Sequence, residues 1–267
     1  MPELPDVEGF KRLLARNALR KTIDQVIVSD ARILGKLPAR TFIARLRGAR
    51  FTAVRRHGKH LFAAIDRGGW LTLHFGMTGA LQTARNRETA PPFTRVRFDF
   101  VHDGSLAYTN KRMIGRVGLV EDVDDFLAEE ALGPDALDPH LDFDGFRAAV
   151  LTRKRDVKSV LMDQQVIAGI GNIYSDDILF QARIDPTKRI DRLSPDELKR
   201  LFQKMREVLK VAIAHGAGAE QFAERAPKGS LLPSRHKGGL CPRCRSPLRV
   251  FKVGGRTGYC CPTCQAC

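Results

Sequence analysis

Residues 241–264 read CPRCRSPLRVFKVGGRTGYCCPTC, a segment that begins and ends with a Cys-x-x-Cys pair. The stretch between the pairs contains two strand-like halves, which would bring the pairs together as a short β-ribbon. Four thiolates in a tetrahedron are the usual ligands of a structural zinc ion. We therefore predict a zinc ribbon at this end of the chain, with one zinc ion and four ligands: Cys241, Cys244, Cys261 and Cys264.

Two further cysteines, Cys260 and Cys267, lie in the same tail and complete the six cysteines of the chain. Because Cys264 and Cys267 also form a Cys-x-x-Cys pair, a different set of ligands stays open. The Cys-Pro-x-Cys form of the two chosen pairs favours the set given above. In a reducing compartment, such clustering indicates metal binding and not disulfides.

The chain has 267 residues and is strongly basic, with 45 Lys and Arg against 30 Asp and Glu and a formal net charge of +15. This excess is more than solubility needs, so it predicts a polyanionic partner, most simply nucleic acid. No apolar run approaches the length of a membrane span, and the first residues lack a signal-peptide pattern. We expect a cytoplasmic protein, and in bacteria that location would give it access to the nucleoid.

The pattern of the N-terminal half predicts an antiparallel β-sandwich or barrel that carries one helix at its start. Pro5 suits the first position of a helix that reaches about Leu19, because a proline lacks the N–H that would be unpaired there. The strand-like segments are Thr22–Ser29, Phe51–Arg56, His60–Asp66, Trp70–Phe75, Thr94–Val101 and Ser105–Thr109, the last two joined by a hairpin turn at 102–104.

From about Val123 the pattern becomes helical, which predicts a second domain. In the clearest helix, 194–214, Ser194 can cap the first turn and Glu197 completes a capping box. The other candidate helices are Phe143–Leu151, Val157–Asp163 and Ile173–Ala182, and 216–240 is predicted to be an irregular loop. The predicted fold class is α+β, with domains at 1–122, 123–230 and 231–267.

A glycine turn precedes the third of these helices. Gly169 and Gly171 permit a tight turn whose backbone N–H groups, together with the N-terminus of the next helix, can point at a phosphate. The amide of Asn172 can add a hydrogen bond to the same anion. A purely structural turn explains the same glycines, so the residues alone leave both interpretations open.

The chain begins Met1-Pro2-Glu3-Leu4-Pro5. If Met1 is removed, Pro2 presents a secondary amine, part of which is an unprotonated nucleophile near neutral pH. Such an amine can attack a sugar carbon and form an iminium, and Glu3 can move protons for it. A proline that only stiffens the start of the chain is the ordinary alternative.

Four motifs occur in this order along the chain, and together they resemble the formamidopyrimidine-DNA glycosylase/endonuclease VIII family of base-excision repair enzymes. The motifs are Pro2-Glu3-Leu4-Pro5, His74-Phe75-Gly76-Met77-Thr78-Gly79, Gly169-Ile170-Gly171-Asn172-Ile173-Tyr174 and the four-cysteine ribbon. The resemblance spans nearly the whole chain, and the joint occurrence of the motifs is far more specific than any one of them.

The resemblance implies a β-sandwich, a helix–two-turns–helix domain and a zinc finger, acting on damaged double-stranded DNA as a monomer. Pro2 would attack C1′ of a damaged nucleoside and form a Schiff base, and β- and δ-eliminations would then cut the strand. Glu3 would be the general acid and base. Lys59 and Arg256 would belong to the catalytic residues and contact phosphates. Asn172 would contact a further phosphate, with Gly171 and Lys158 also on the DNA-binding surface.

An enzyme that acts on a base in a duplex must extrude it, at a cost of a few kcal/mol. The resemblance implies that Met77, Arg112 and Ile114 fill the hole that the base leaves. Ile114 stands where formamidopyrimidine glycosylases usually carry a phenylalanine, so aromatic stacking is lost at this position. A solvated arginine and an ordinary packing methionine are what the residues alone would favour.

The predicted activity is that of a bifunctional glycosylase and abasic-site lyase acting on oxidised purines such as formamidopyrimidines and 8-oxoguanine. Two alternatives stay open: a glycosylase for oxidised pyrimidines, and a non-catalytic protein that binds damaged DNA. The loop between Gly216 and Cys241 is several residues shorter than the family's usual segment, which leaves the preferred lesion undetermined. A zinc-ribbon adaptor that binds proteins fits the basic charge poorly.

Overall fold

The structure is a computed structural model that describes residues 2–84, 90–101, 103–216 and 226–267. The chain divides into two compact units. Unit 1 contains Pro2 and Asp6–Glu130, whereas unit 2 contains Glu3–Pro5 and Ala131–Cys267. The predicted boundaries at 122/123 and 230/231 stay predictions.

Unit 1 is an antiparallel β-sandwich with short helices. Its elements are α1 (Leu4–Ala18, whose first residues group with unit 2), β1 (Ile23–Val28), a 3-10 turn (Ala31–Leu34), α2 (Ala39–Leu46), β2 (Phe51–His57), β3 (His60–Ile65), β4 (Trp70–His74), β5 (Gly79–Ala84), β6 (Thr94–Phe100), β7 (Asp103–Asn110), β8 (Arg116–Val120) and α3 (Val123–Glu129). The predicted N-terminal helix and strands are confirmed, whereas α2, β5 and β8 were not predicted. The turn predicted at 102–104 is wrong in its extent, because β7 already begins at Asp103, which pairs with Phe100.

Two four-stranded sheets form this sandwich, in the orders β1-β6-β7-β5 and β2-β3-β4-β8. All strand pairs in both sheets are antiparallel. Side chains from both sheets, including Phe98 and Leu71, share one core with Val7 of α1.

Unit 2 is helical and ends in the β-ribbon. Its elements are α4 (Phe143–Leu151), α5 (Val157–Met162), α6 (Asn172–Ala182), a 3-10 turn (Ile190–Arg192), α7 (Pro195–Ala214), a 3-10 turn (Leu232–Ser234), β9 (Arg249–Val253), β10 (Arg256–Cys260) and α8 (Pro262–Gln265). Leu4 packs into the core of this unit together with side chains of α4 to α7. The predicted helices and ribbon are confirmed.

The start of α7 has the predicted capping box. The Glu197 N–H donates to Ser194 Oγ at 3.2 Å, and the Ser194 N–H donates to the Glu197 carboxylate at 2.8 Å. Pro195 occupies the first turn. These contacts satisfy donors that a helix otherwise leaves unpaired at its N-terminus.

The sequence also predicted that the chain has no membrane span and that 216–240 is an irregular loop. No helix in the described ranges is both long and apolar enough to cross a membrane. Of the loop predicted at 216–240, residues 217–225 lie outside the described residues, and the described remainder contains only one short 3-10 turn.

Gly76 allows a close approach of two backbone segments in unit 1. Its φ is +57°, and a Cβ atom there would lie 2.6 Å from the carbonyl carbon of Ile114. Gly35 provides a matched comparison, because its φ is +62° but a Cβ atom would meet nothing within 4 Å.

We expect Gly35→Ala to lower the free energy of unfolding by about 1 kcal/mol, the cost of a left-handed conformation. Gly76→Ala should lower it by roughly 1–3 kcal/mol more, because the Ile114 backbone must also shift. Urea titration of both variants measures the difference. Equal losses would show that the approach of Ile114 contributes nothing.

Candidate functional site

The carboxylate of Glu3 is held by backbone N–H groups at the start of α6. Glu3 is 1% exposed, and it accepts hydrogen bonds from Gly171 at 2.7 Å, Ile173 at 2.8 Å and Tyr174 at 3.2 Å. A helix N-terminus offers unpaired N–H donors and a positive dipole end, both of which stabilise a negative group. Glu3 is therefore fixed in a single position.

The two glycines of the turn are required by this arrangement. A Cβ atom at Gly171 would collide with the Glu3 side chain, and one at Gly169 would collide with Leu4. Gly169 also has a φ of +116°, and its carbonyl accepts the Leu4 N–H at 3.0 Å. The Gly171 N–H, which was predicted to lie on the DNA-binding surface, donates to Glu3. Its contact with DNA stays a prediction.

Pro2, the predicted nucleophile, is half-buried and is bonded directly to Glu3. Because Glu3 is fixed, the backbone that follows the proline is fixed as well. Met1 lies outside the described residues.

Asn172 begins α6 and contacts the ribbon. Its side-chain Nδ2 donates to the Thr257 carbonyl at 2.9 Å, across 85 residues of sequence. Its Oδ1 is buried without a hydrogen-bond partner among the described residues. The Asn172 amide therefore joins the glycine turn to β10.

Lys158, predicted on the DNA-binding surface, is 0% exposed. Its ammonium group donates to the Asn172 carbonyl at 3.1 Å, and also to Ser175 Oγ at 2.7 Å and Asp176 Oδ1 at 2.6 Å. Burial lowers the pKa of Lys158, although the Asp176 carboxylate opposes that shift. Lys158 is thus occupied by protein acceptors, and its contact with DNA stays a prediction.

Asp176 joins this lysine to the ribbon and to the segment before it. The same carboxylate accepts Arg235 Nε at 2.9 Å and the Tyr259 N–H at 3.2 Å. We call Lys158, Asp176 and Arg235 the Lys158 cluster. Because a buried charge is costly unless it is paired, this cluster holds α5, α6 and β10 in one arrangement.

The sequence did not point to Asp176 or Arg235. The only available signal was the pair Asp176-Asp177 inside an otherwise apolar segment, where acidic residues need partners if they are buried.

Arg256, the other predicted phosphate ligand of this unit, is exposed at the start of β10. Its Nη1 lies 3.6 Å from the Met162 sulfur. Arg256 is adjacent in β10 to Thr257, whose carbonyl accepts the Asn172 side chain. The structure therefore brings Arg256 and Asn172 close to each other.

In unit 1, the predicted Lys59 follows Gly58 in the turn between β2 and β3. Lys59 is 8% exposed. Gly58 has a φ of +54°, which suits this tight turn. The nearby Arg56 donates to Glu8 at 3.0 Å.

The residue after Lys59 is a histidine in an apolar setting. The His60 ring lies 4.8 Å from the His74 ring and 5.4 Å from that of Phe126. Burial lowers the pKa of His60 to about 3, and repulsion from His74 and other cationic groups adds to this shift. His60 is therefore neutral at physiological pH and adds no charge beside Lys59.

The residues predicted to replace an extruded base lie together on one rim of unit 1. Met77 is 43% exposed and Ile114 is 48% exposed. Arg112 Nη1 lies 3.2 Å from the Met77 sulfur, and the Arg112 N–H donates to Thr78 Oγ1 at 3.0 Å. The Ile114 backbone lies close to Gly76, the residue directly before Met77, so Ile114 belongs to the same group. We call Met77, Arg112 and Ile114 the plug.

The four predicted zinc ligands converge in the ribbon. The sulfurs of Cys241, Cys244, Cys261 and Cys264 all lie within 4.8 Å of one another. Zinc–sulfur bonds of about 2.3 Å in a tetrahedron require sulfurs roughly 3.8 Å apart. The Cys241–Cys264 distance is 3.8 Å and the Cys244–Cys261 distance is 3.4 Å, so the cluster fits a structural zinc site.

The two remaining cysteines correct part of the sequence-based expectation. Cys260 and Cys267 are joined by a disulfide, although the clustered cysteines were expected to bind metal and not to form disulfides. The alternative ligand pair of Cys264 with Cys267 is excluded in this structure. The chain folds back through α8, which brings the last residue to the end of β10.

We expect native mass spectrometry of the purified protein to show one zinc ion per chain. Cys244→Ser should lose most of that zinc, because it removes one of four ligands. Cys267→Ser is the matched control and should retain it. Zinc loss from Cys267→Ser equal to that from Cys244→Ser would contradict the ligand set.

The Lys158 cluster predicts a large loss of stability when its lysine is removed. Lys158→Met leaves Asp176 buried with an incomplete set of partners, so the free energy of unfolding should fall by about 3–5 kcal/mol. Lys188→Met is the control, since Lys188 forms a partly exposed pair with Glu197 at 2.8 Å and should cost less than about 1 kcal/mol. Similar losses in urea titration would refute the importance of the cluster.

Comparison with known proteins agrees with these features. Residues 1–117 match the formamidopyrimidine-DNA glycosylase N-terminal domain, and 132–224 match the formamidopyrimidine-DNA glycosylase H2TH domain. The chain is 34% identical to the formamidopyrimidine-DNA glycosylase of Thermomicrobium roseum, over 99% of both chains. It is 35% identical to that of Thermus thermophilus, over 99% of this chain and 98% of the relative.

Solved structures give the same result. The chain is similar to Lactococcus lactis formamidopyrimidine-DNA glycosylase bound non-covalently to DNA that contains an AP site. The TM-score is 0.88 and the identity 27%, with 98% of this chain and 99% of that chain covered. With two matching domains and relatives that cover its length, this chain belongs to the formamidopyrimidine-DNA glycosylase family.

Proposed function

We propose that this protein is a DNA repair glycosylase and abasic-site lyase that excises oxidised purines from double-stranded DNA. The observation that carries the proposal is the carboxylate of Glu3, fixed by three backbone N–H groups immediately after Pro2. A general acid or base must be held in a defined position relative to the group it serves. The covalent bond between Pro2 and Glu3 supplies that proximity.

In the proposed reaction, removal of Met1 frees the Pro2 nitrogen, which attacks C1′ of the damaged nucleoside. The bond between C1′ and the base breaks, and the base departs with a proton. The Pro2 nitrogen then loses its own proton, and the bond between C1′ and O4′ breaks as O4′ takes up a proton. A cationic Schiff base remains between Pro2 and C1′. Glu3 serves as the acid and base for these transfers.

The Schiff base then withdraws electrons from the sugar. Loss of a C2′ proton breaks the C3′–O bond, and a second elimination breaks the C5′–O bond. These β- and δ-eliminations release the phosphates on both sides of the lost nucleoside. Lys59 and Arg256 are the cationic residues that we assign to this chemistry and to the phosphates that flank it.

Phosphate binding by Lys59, Asn172 and Arg256 accords with the net charge of +15. Binding to phosphates releases counterions from the duplex, so affinity should fall as salt rises. We assign a positioning role to Gly171 and Lys158, since the first holds Glu3 and the second holds the Asn172 carbonyl.

The plug would replace the extruded base in the duplex. An extruded base leaves a gap in the stack, which Met77 and Ile114 can fill with exposed apolar side chains. Arg112 carries a planar guanidinium group that can donate hydrogen bonds to the orphaned base.

The proposed substrate rests on the family and on the DNA bound by its solved members. One is a Lactococcus lactis enzyme in complex with DNA containing N7-benzyl-Fapy-dG, and another is MutM in complex with DNA containing carbocyclic 8-oxo-G. The oxidised-pyrimidine alternative is not favoured, because the matching relatives carry the name formamidopyrimidine-DNA glycosylase. We further propose that the protein acts as a monomer in the bacterial cytoplasm, at the nucleoid.

Borohydride reduction should trap a covalent adduct between this protein and duplex DNA that contains an abasic site. Pro2→Gly should weaken trapping, because it replaces the secondary amine. Glu3→Gln should lower the rate of 8-oxoguanine excision by about 100-fold or more while affecting cleavage at a preformed abasic site less. Single-turnover assays on the two substrates measure this difference.

Intact mass must first show which preparations lack Met1, and protein that retains it serves as the control that cannot react. Absence of trapping by fully processed protein would refute the lyase assignment. Equal losses on both substrates would remove Glu3 as the acid for base release.

A further inference from the structure

Phe93 adopts a backbone conformation that large side chains rarely adopt. Its φ is +62°, in the left-handed region that favours glycine and asparagine. The residue lies in a turn that is closed by the Thr94 N–H, which donates to the Pro91 carbonyl at 3.2 Å. Pro92 and Phe93 are the two central residues of this turn. A proline followed by a residue of positive φ is the type II pattern, which ordinarily has glycine at the second position.

Burial does not compensate for this conformation. Phe93 is 50% exposed, and among the described residues it is the only exposed phenylalanine, tyrosine or tryptophan. Its one described ring contact is with the Lys111 ammonium group, 5.6 Å from the ring centroid. Strained residues of this kind concentrate at sites of function, so the ring requires an explanation other than core packing.

Asn110 connects the Phe93 turn to the plug. The Asn110 N–H donates to the Phe93 carbonyl at 3.0 Å, and its side-chain Nδ2 donates to the Phe75 carbonyl at 3.1 Å. Phe75 directly precedes Gly76 and Met77 in the chain. Asn110 is 0% exposed, so this connection is rigid and not a surface contact.

A second link runs through Thr78. Its hydroxyl lies 3.4 Å from Asn110 Oδ1 and accepts the Arg112 N–H at 3.0 Å. The aromatic ring, the plug and the Lys111 side chain therefore belong to one framework on unit 1. This combination of an exposed ring with Lys111 and Arg112 has the chemistry of a surface that stacks on nucleobases beside phosphates.

We propose that Phe93 is a further DNA-contacting residue, whose ring stacks on a nucleobase unstacked beside the lesion. This inference rests on the proposed function, because extrusion of the damaged base is what exposes the faces of its neighbours. Phe93 supplies aromatic surface to a rim where Met77 and Ile114 offer only aliphatic groups. Its left-handed backbone projects the ring at the cost of local strain.

The decisive variant is Phe93→Gly, because glycine suits the turn but lacks the ring. We expect its urea midpoint to be equal to or higher than that of the unmodified protein, whereas its affinity for a duplex with a tetrahydrofuran abasic-site analogue should fall about 5- to 100-fold. Phe93→Tyr keeps an aromatic ring and should retain most of the affinity. A ring with only a structural role would give the opposite result, a lower midpoint with unchanged affinity.

Val101→Ala is the matched control. Val101 is another exposed apolar residue of unit 1, 39% exposed, in the turn between β6 and β7, and its truncation should leave affinity unchanged. A 2-aminopurine placed beside the analogue should lose fluorescence on binding the unmodified protein, because stacking quenches it, and should lose less with Phe93→Gly.

If Phe93→Gly binds the analogue duplex as tightly as the unmodified protein does, Phe93 does not stack on DNA and the proposal is overturned. Failure of the proposed function would differ, because the unmodified protein itself would then neither excise 8-oxoguanine nor form a trapped adduct. Binding to the analogue duplex needs no catalysis, so the two outcomes are read separately.

Discussion

The position of the chain start that carries Pro2 depends on one interaction. The Glu3 carboxylate is buried against three backbone N–H groups at the start of α6. A buried carboxylate is costly unless its oxygens accept hydrogen bonds, and here the N-terminus of a helix supplies them. The same interaction explains both glycines of the turn, since side chains there would meet Glu3 and Leu4. A motif that from sequence suggests phosphate binding thus also anchors the chain terminus that carries Pro2.

Further contacts hold the start of α6, which binds the Glu3 carboxylate, in position. The Lys158 cluster holds the carbonyl of Asn172, and the Asn172 side chain holds β10 of the ribbon. The zinc site braces the other end of that ribbon through four cysteines. A zinc ion held by these cysteines would stabilise the ribbon that carries Arg256.

The sequence was sufficient for the main fold and for the zinc ligands, because Cys-x-x-Cys spacing, strand alternation and the α7 capping box are local patterns with local physical causes. It was insufficient wherever the outcome depends on distant partners. The burial of Lys158 depends on Asp176, which lies 18 residues further along the chain and in turn pairs with Arg235. The disulfide of Cys260 with Cys267 depends on how α8 folds back. The positive φ of Phe93 has no sequence signal, since its turn should carry glycine.

If the Pro2 nitrogen is the nucleophile, borohydride reduction leaves the sugar bonded to that nitrogen. The residue that carries the sugar can be identified directly. The adduct reduced by borohydride is digested with trypsin and nuclease, and the modified peptide is sequenced by mass spectrometry. We expect the sugar remnant on the N-terminal peptide, residues 2–11, and on the proline nitrogen itself. A remnant on a lysine side chain, such as that of Lys59, would contradict it.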